Sequence, residues 1–459
     1  MGRRYKCAAM VLVAVLWLGA GAGAETEWLA CSFLSGKGAG QKVTGARIQS
    51  NGTIVLAANL EADAPKGQAD RSLGAGDRGA VVLLSPDGRS ILAVVRVADE
   101  VKDLALDGKD HLYVAAGAAG LLKLDPAASK ILAKLPVGER CDRVDAATDG
   151  HCVGGMCEGS GGGFAVFDPQ GTKLGNVGGH HRTYDVCIDG ATKTVVTCGY
   201  RVVPVKGKGV HIAGMKAWDY TGKAKWRAYD WVGDEASDRF LNRPGDNVAN
   251  TRGCRVTIGA DGKLYAAFQC GGGRHMFRFS PFDLTQKVKI VRGDKFHDFY
   301  NTRNEHKAFF AKYDPATGRY LQGQQFVARH SSGRGSTVFV KDGAIEADEK
   351  GTVYITGAAS AHLPLSYMPP GSGDYRGGGF LLIMSPDFRT RLYCTRVQGG
   401  ATVRALGIRS TQEGTAIALG GDARPDDEFP PVHAVQPKPA QPTDDRRARE
   451  GFFAVFRAR

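Results

Sequence analysis

The chain carries none of the short motifs that mark common catalytic chemistries. There is no HExxH zinc helix, no GxSxG nucleophile turn, no DxDxDG calcium loop and no repeated Asp box. No CxxC spacing, adjacent cysteine pair or CxxCH haem attachment site occurs. No resident metal and no cofactor is expected. Charge of one sign is modest too: 60 basic against 47 acidic residues give +13 over 459 positions, scattered along the chain. A nucleic-acid surface gathers its basic residues on one face, so nucleic acid is not expected as a partner. Weak attraction to acidic polymers is compatible with this charge.

Long apolar runs are equally scarce. The one run, CAAMVLVAVLWLGAG, follows Arg3, Arg4 and Lys6 and precedes the small residues AGA at 22–24. It is short for a membrane span and reads as the core of a signal peptide over 1–24, cut near Ala24. The expectation is a secreted or periplasmic monomer without a membrane span, a single domain over 25–459. Loss of the leader leaves 57 basic residues against 47 acidic ones, and nine cysteines, in a compartment that permits disulfides.

What the chain has in abundance is glycine, 63 residues, and a phrase it keeps rewriting. LLSPDGRSIL (83–92), KLDPAASKIL (123–132), VFDPQGTKLG (166–175), AWDYTGKAKW (217–226), KYDPATGRYL (312–321) and IMSPDFRTRL (383–392) each read as strand, tight turn, strand. Ahead of each lies another hairpin, such as LALDGKDHLYVAAG (104–117) or RVTIGADGKLYAAFQC (255–270). The repeating unit is four short strands in about 40 residues, the period of a blade. Seven first hairpins and seven third strands can be found, but only six fourth strands follow them. The chain stops after GFFAVF (451–456), while WLACSFL (28–34) precedes the first unit without a partner. The expected fold is therefore all-β: a seven-bladed β-propeller of four-stranded antiparallel blades, closed by the N-terminal strand pairing into the C-terminal blade. Such closure removes the two open edges of a linear array.

This pattern resembles β-propellers of the broad WD-repeat and quinoprotein-like kind, including exported bacterial ones. AWDYTGKAKW is similar to the tryptophan-docking repeat of pyrroloquinoline quinone enzymes, with Trp226 as its matching residue; the other copies lack the Trp.

The long connections follow the second and fourth strands, which places them on one face, where rigid scaffolds build recognition. They include 60–79, 201–214, 233–253, 328–344, 360–378, an insertion at about 271–307 in the fifth blade, and a proline-rich, flexible-looking loop at 422–450 in the seventh. Three of these connections deliver GERCDRV, GGHHRTYDV and NTRGCRV to one channel mouth. The candidate ligand-binding residues are Arg140, Asp142, Arg143, His180, His181, Arg182, Asp185, Arg252 and Arg255, a set suited to an anion. Network formation between blades is the other role open to the Asp and Arg residues. His275, His297, Asp298, Tyr300 and His306 of the insertion either roof this mouth or pack as a satellite hairpin.

Cys141 and Cys157, Cys187 and Cys198, and Cys254 and Cys270 straddle the first turn in three consecutive units. Three hairpin disulfides are expected; buried thiols, or soft metal ligands beside His151, His180 or His181, are the other readings. Cys31, Cys152 and Cys394 are expected to stay free. Function is expected to be that of a binding module for a small anionic ligand, a glycan or a protein. A hydrolase or lyase acting on an anionic saccharide is the alternative, with quinone-dependent redox chemistry a third; no catalytic residue is assigned.

Overall fold

A computed structural model of the chain describes residues 26–38, 40–157, 163–205, 208–231, 250–271, 275–293, 295–297, 306–365, 377–398, 401–425, 431–440 and 448–459. The leader at 1–24, Asp298 and Tyr300 lie outside these residues.

Short runs such as Gly79–Leu84 and Leu112–Ala115 are apolar on both faces because each blade is covered by a neighbour on either side. The strands form seven small, mainly antiparallel sheets arranged as a propeller ring. Their innermost strands are Lys42–Ile48, Asp103–Leu106, Arg143–Ala146, Arg182–Asp189, Thr251–Ile258, Ile345–Ala347 and Thr402–Thr411. Blade 7 is completed from the other end of the chain: Thr26–Phe33 pairs antiparallel with Glu450–Ala458, placing Cys31 opposite Ala454 and Phe33 opposite Phe452. Phe33, Phe452, Ala454 and Phe456 are buried in the core that this closure creates.

The repeated turn phrase has two jobs. Its Asp carboxylate satisfies the turn: Asp314 Oδ1 accepts the Thr317 N–H and hydroxyl, each at 2.9 Å, and Asp168 Oδ1 accepts from Gln170 at 2.9 Å and Thr172 at 2.7 Å. Its proline offers a carbonyl to the blade before it. Gln49 donates to Pro126 O (2.6 Å), Lys123 to Pro169 O (2.9 Å), Trp226 to Pro315 O (3.0 Å) and Lys312 to Pro386 O (2.7 Å). Trp226 is thus an inter-blade clasp, lying against Gly318, whose place leaves no room for a Cβ. In IMSPDFRTRL the usual turn glycine is replaced by Phe388, which holds a left-handed φ of 58°. Its side chain is fully buried against Phe310, which offsets the strain.

Several outer edges are covered. Arg71–Ser72 runs parallel to the last strand of blade 1, Val291 bridges to Gln324 on blade 5, and Val432 bridges to Cys31 on blade 7. Part of the proline-rich loop therefore lies along the closing strand, where Gln436 O also accepts the Phe33 N–H at 3.1 Å.

Candidate functional site

The innermost strands line the channel, and their alternation puts every second side chain into it. Two rungs of charge result. In the upper rung Arg143 lies between Asp103 (3.6 Å) and Asp185 (3.8 Å), and Arg255 follows on the next blade. In the lower rung Arg47 meets Glu346 at 3.6 Å, Thr257 donates to Glu346 at 3.1 Å, and Asp145 stands across from Arg47. The carboxylates also fasten successive blades. Asp103 accepts from Val144 N (3.3 Å), Asp145 from Ile188 N (3.0 Å) and Asp185 from Val256 N (3.1 Å). Tyr184 O accepts from both Arg143 Nε (3.1 Å) and Arg255 Nη1 (3.4 Å), and Arg255 Nε reaches Gly343 O at 2.6 Å.

Four arginines, Arg47, Arg143, Arg255 and Arg404, thus line this interior with four carboxylates, Asp103, Asp145, Asp185 and Glu346. Asp145, which makes no ion pair among the described residues, is pushed up to about 7 by burial. Burial likewise raises Asp185 and Glu346. The open space between the rungs is about 50 Å³, too small for an organic ligand. Arg143, Asp185 and Arg255 therefore belong to the network that joins the blades rather than to an open ligand surface.

The other expected site residues divide. Arg140 donates Nε–H to Asp142 Oδ1 at 2.9 Å, and Asp142 accepts the Cys157 N–H at 3.2 Å. His180 is buried inside blade 4: its Nε2 lies 3.3 Å from Thr197 O, and burial together with Lys216 pushes it down to about 4. It is not on the mouth. Neighbouring Asp230 is gripped by the Arg201 fork at 2.7 and 2.6 Å. His181 and Arg182 are exposed at the rim.

Arg252 is the centre of a cluster that the sequence did not display. Its Nε donates to His211 Nδ1 at 3.0 Å and its guanidinium lies 5.6 Å from the Tyr200 ring centre. Tyr200 and His211 stack at 4.4 Å, Tyr184 sits 5.8 Å from Tyr200, and Lys341 lies 5.2 Å from the Tyr184 ring centre. Burial, with Arg252, Arg182 and His181 nearby, holds His211 below its ordinary value and hence neutral. Burial also raises the Tyr184 phenol. Tyr200 and His211 stand on a hairpin extension: Thr194–Val205 pairs with Lys208–Asp219 through a stretch, 201–214, expected to be loop. The alternation in YRVVPV and GVHIAG was the available signal.

Rim cations on the remaining blades sit among carboxylates. Lys102 pairs with Glu100, Arg404 with Asp422 and, at 3.5 Å, with Asp342, and Lys42 lies in the field of Glu100 and Asp422. Arg182, Arg252 and Lys341, on three adjacent blades, make no ion pair among the described residues.

The three hairpin disulfides are not formed: Cys141, Cys157, Cys187, Cys198, Cys254 and Cys270 are buried thiols outside any disulfide, as are Cys31, Cys152 and Cys394. Strand register gives the reason. Cys187 faces Val196 and Cys198 faces Asp185, while Cys270 faces Thr251 and Cys254 falls in a bulge. Among the described residues no three His, Cys, Asp or Glu side chains are grouped to hold a metal, and His151 pairs with Asp149 at 3.0 Å. His275 is buried against Gln325 Oε1 at 2.6 Å, and Phe279–Ser280 with Asp283–Lys287 makes a satellite hairpin. No helix among the described residues is long and apolar enough to cross a membrane. The chain matches no family model and no curated protein.

Proposed function

We propose that this chain is an exported binding module that takes an anionic ligand at the channel mouth, over blades 4 to 6. The propeller fold supports an interaction role in general terms. One contrast carries the specific reading: among the described residues three adjacent rim cations, Arg182, Arg252 and Lys341, make no ion pair beside a Tyr–Tyr–His wall, whereas the interior Arg47 and Arg143 face carboxylates. Export rests on residues 1–24 alone.

Binding is favoured over turnover by the state of the obvious bases. Burial keeps the Tyr184 phenol protonated, and His211 Nδ1 is engaged by Arg252. Trp226, the residue that resembles a quinone-enzyme motif, is occupied between blades 4 and 5, away from the mouth. Titration of the mature chain with acidic polymers at low and high salt tests the proposal. Retention that weakens with salt, and falls about tenfold in an Arg182→Ala/Lys341→Ala variant, is expected. Failure to retain any anion at low salt overturns it.

A further inference from the structure

We propose that the anion is a sugar acid: a uronate residue within an acidic polysaccharide, its ring against Tyr184 and its carboxylate on the free edge of Arg252. This rests on the anion-binding function proposed above. The Nε of Arg252 is committed to His211, so among the described residues the two terminal nitrogens of the guanidinium remain, and their end-on fork matches the two oxygens of a planar carboxylate. With Nδ1 accepting, neutral His211 carries its proton on Nε2, a donor suited to a ring hydroxyl beside that carboxylate.

The aromatic wall selects the body of the ligand. The Tyr184 ring is part-exposed, lies against Tyr200 and carries Lys341 Nζ 5.2 Å from its centre, so an apolar ring and a cation meet at one place. Val202, the cross-strand partner of His211, is 45% exposed and prolongs that wall along the hairpin extension. A polyphosphate or an acidic peptide side chain has no apolar ring face to lay there, whereas a hexuronate does. The cations that make no ion pair among the described residues continue across blades 4, 5 and 6, so a chain with repeating carboxylates meets more than one of them, and affinity accumulates along its length.

The test compares four probes on the mature chain by calorimetric titration: polygalacturonate, its methyl ester, poly-L-glutamate and polyphosphate. Polygalacturonate is expected to bind about tenfold or more tighter than the other two anions, and the uncharged ester is expected to lose binding. Tyr184→Leu should weaken polygalacturonate about five- to tenfold and leave poly-L-glutamate unchanged, Tyr184→Phe should retain binding, and Arg252→Lys should cost about tenfold. Equal affinity for the three anions, preference for polyphosphate, or indifference to both Tyr184→Leu and Arg252→Lys overturns the sugar-acid assignment while leaving an anion site standing. Absence of binding to all three anions overturns both.

Discussion

Arg252 and His211 are joined side chain to side chain, Nε to Nδ1 at 3.0 Å, so a strand of blade 5 is locked to the hairpin extension of blade 4. The lock fixes the guanidinium plane. His211→Phe keeps a ring against Tyr200 but removes the acceptor. The variant is expected to melt close to wild type and to bind anions several-fold more weakly; an unchanged affinity would show that Arg252 needs no orientation.

Asp145 is a channel carboxylate that makes no ion pair among the described residues, and burial raises its folded value to about 7, above the ordinary 3.8. A raised carboxyl contributes stability that is full below about pH 4 and is lost as pH rises through 7, at up to about 1.4 kcal/mol per unit between those limits. Asp145→Asn keeps an acceptor for Ile188 N without the charge. Denaturant unfolding should show the variant gaining on wild type between pH 5 and pH 8. A difference independent of pH refutes the assignment.

The nine described cysteines are buried thiols outside any disulfide, and burial pushes Cys152, Cys157 and Cys254 up to about 12. Ellman titration of the folded mature chain is expected to find almost no reactive thiol, with nine appearing in denaturant. A count of three would indicate the hairpin cross-links after all.

Closure of the ring depends on Thr26–Phe33. Removing it exposes the edge of Glu450–Ala458 and opens the core around Phe452 and Phe456. The truncated chain is expected to lose its single cooperative thermal transition or to aggregate; full retention of the melting temperature would contradict the closed ring.

Trp226→Phe removes the hydrogen bond to Pro315 O and part of the contact with Gly318. A loss of about 1–2 kcal/mol in chemical denaturation is expected, with anion binding unchanged, because the clasp lies between blades rather than at the mouth.

Much of the fold was legible because its signals are local. The Asp of each turn phrase, the Pro of five of the six, and the count of strands left unmatched at the two ends pointed to blades and closure without any distance information. Side-chain roles were less legible. Arg143, Asp185 and Arg255 line the channel interior and bond to neighbouring blades, and which partner satisfies each depends on residues 40 to 90 positions away. His180 looked like its neighbour His181 in GGHH, yet one is buried and the other exposed, because the bend before Arg182–Asp189 tucks His180 against Thr183 and Thr197 and leaves His181 outside.

The amino-acid order by itself determined a wheel of seven four-stranded sheets, since turn chemistry and period-two burial act over a few residues. Only the tertiary structure decided which cations are neutralised and which remain open at the mouth. It also decided that the paired-looking cysteines miss one another, and that Tyr184, Tyr200, His211, Arg252 and Lys341 meet. Contacts between blades are governed by register and by the bulges that shift it, and neither is written in the composition of any single strand.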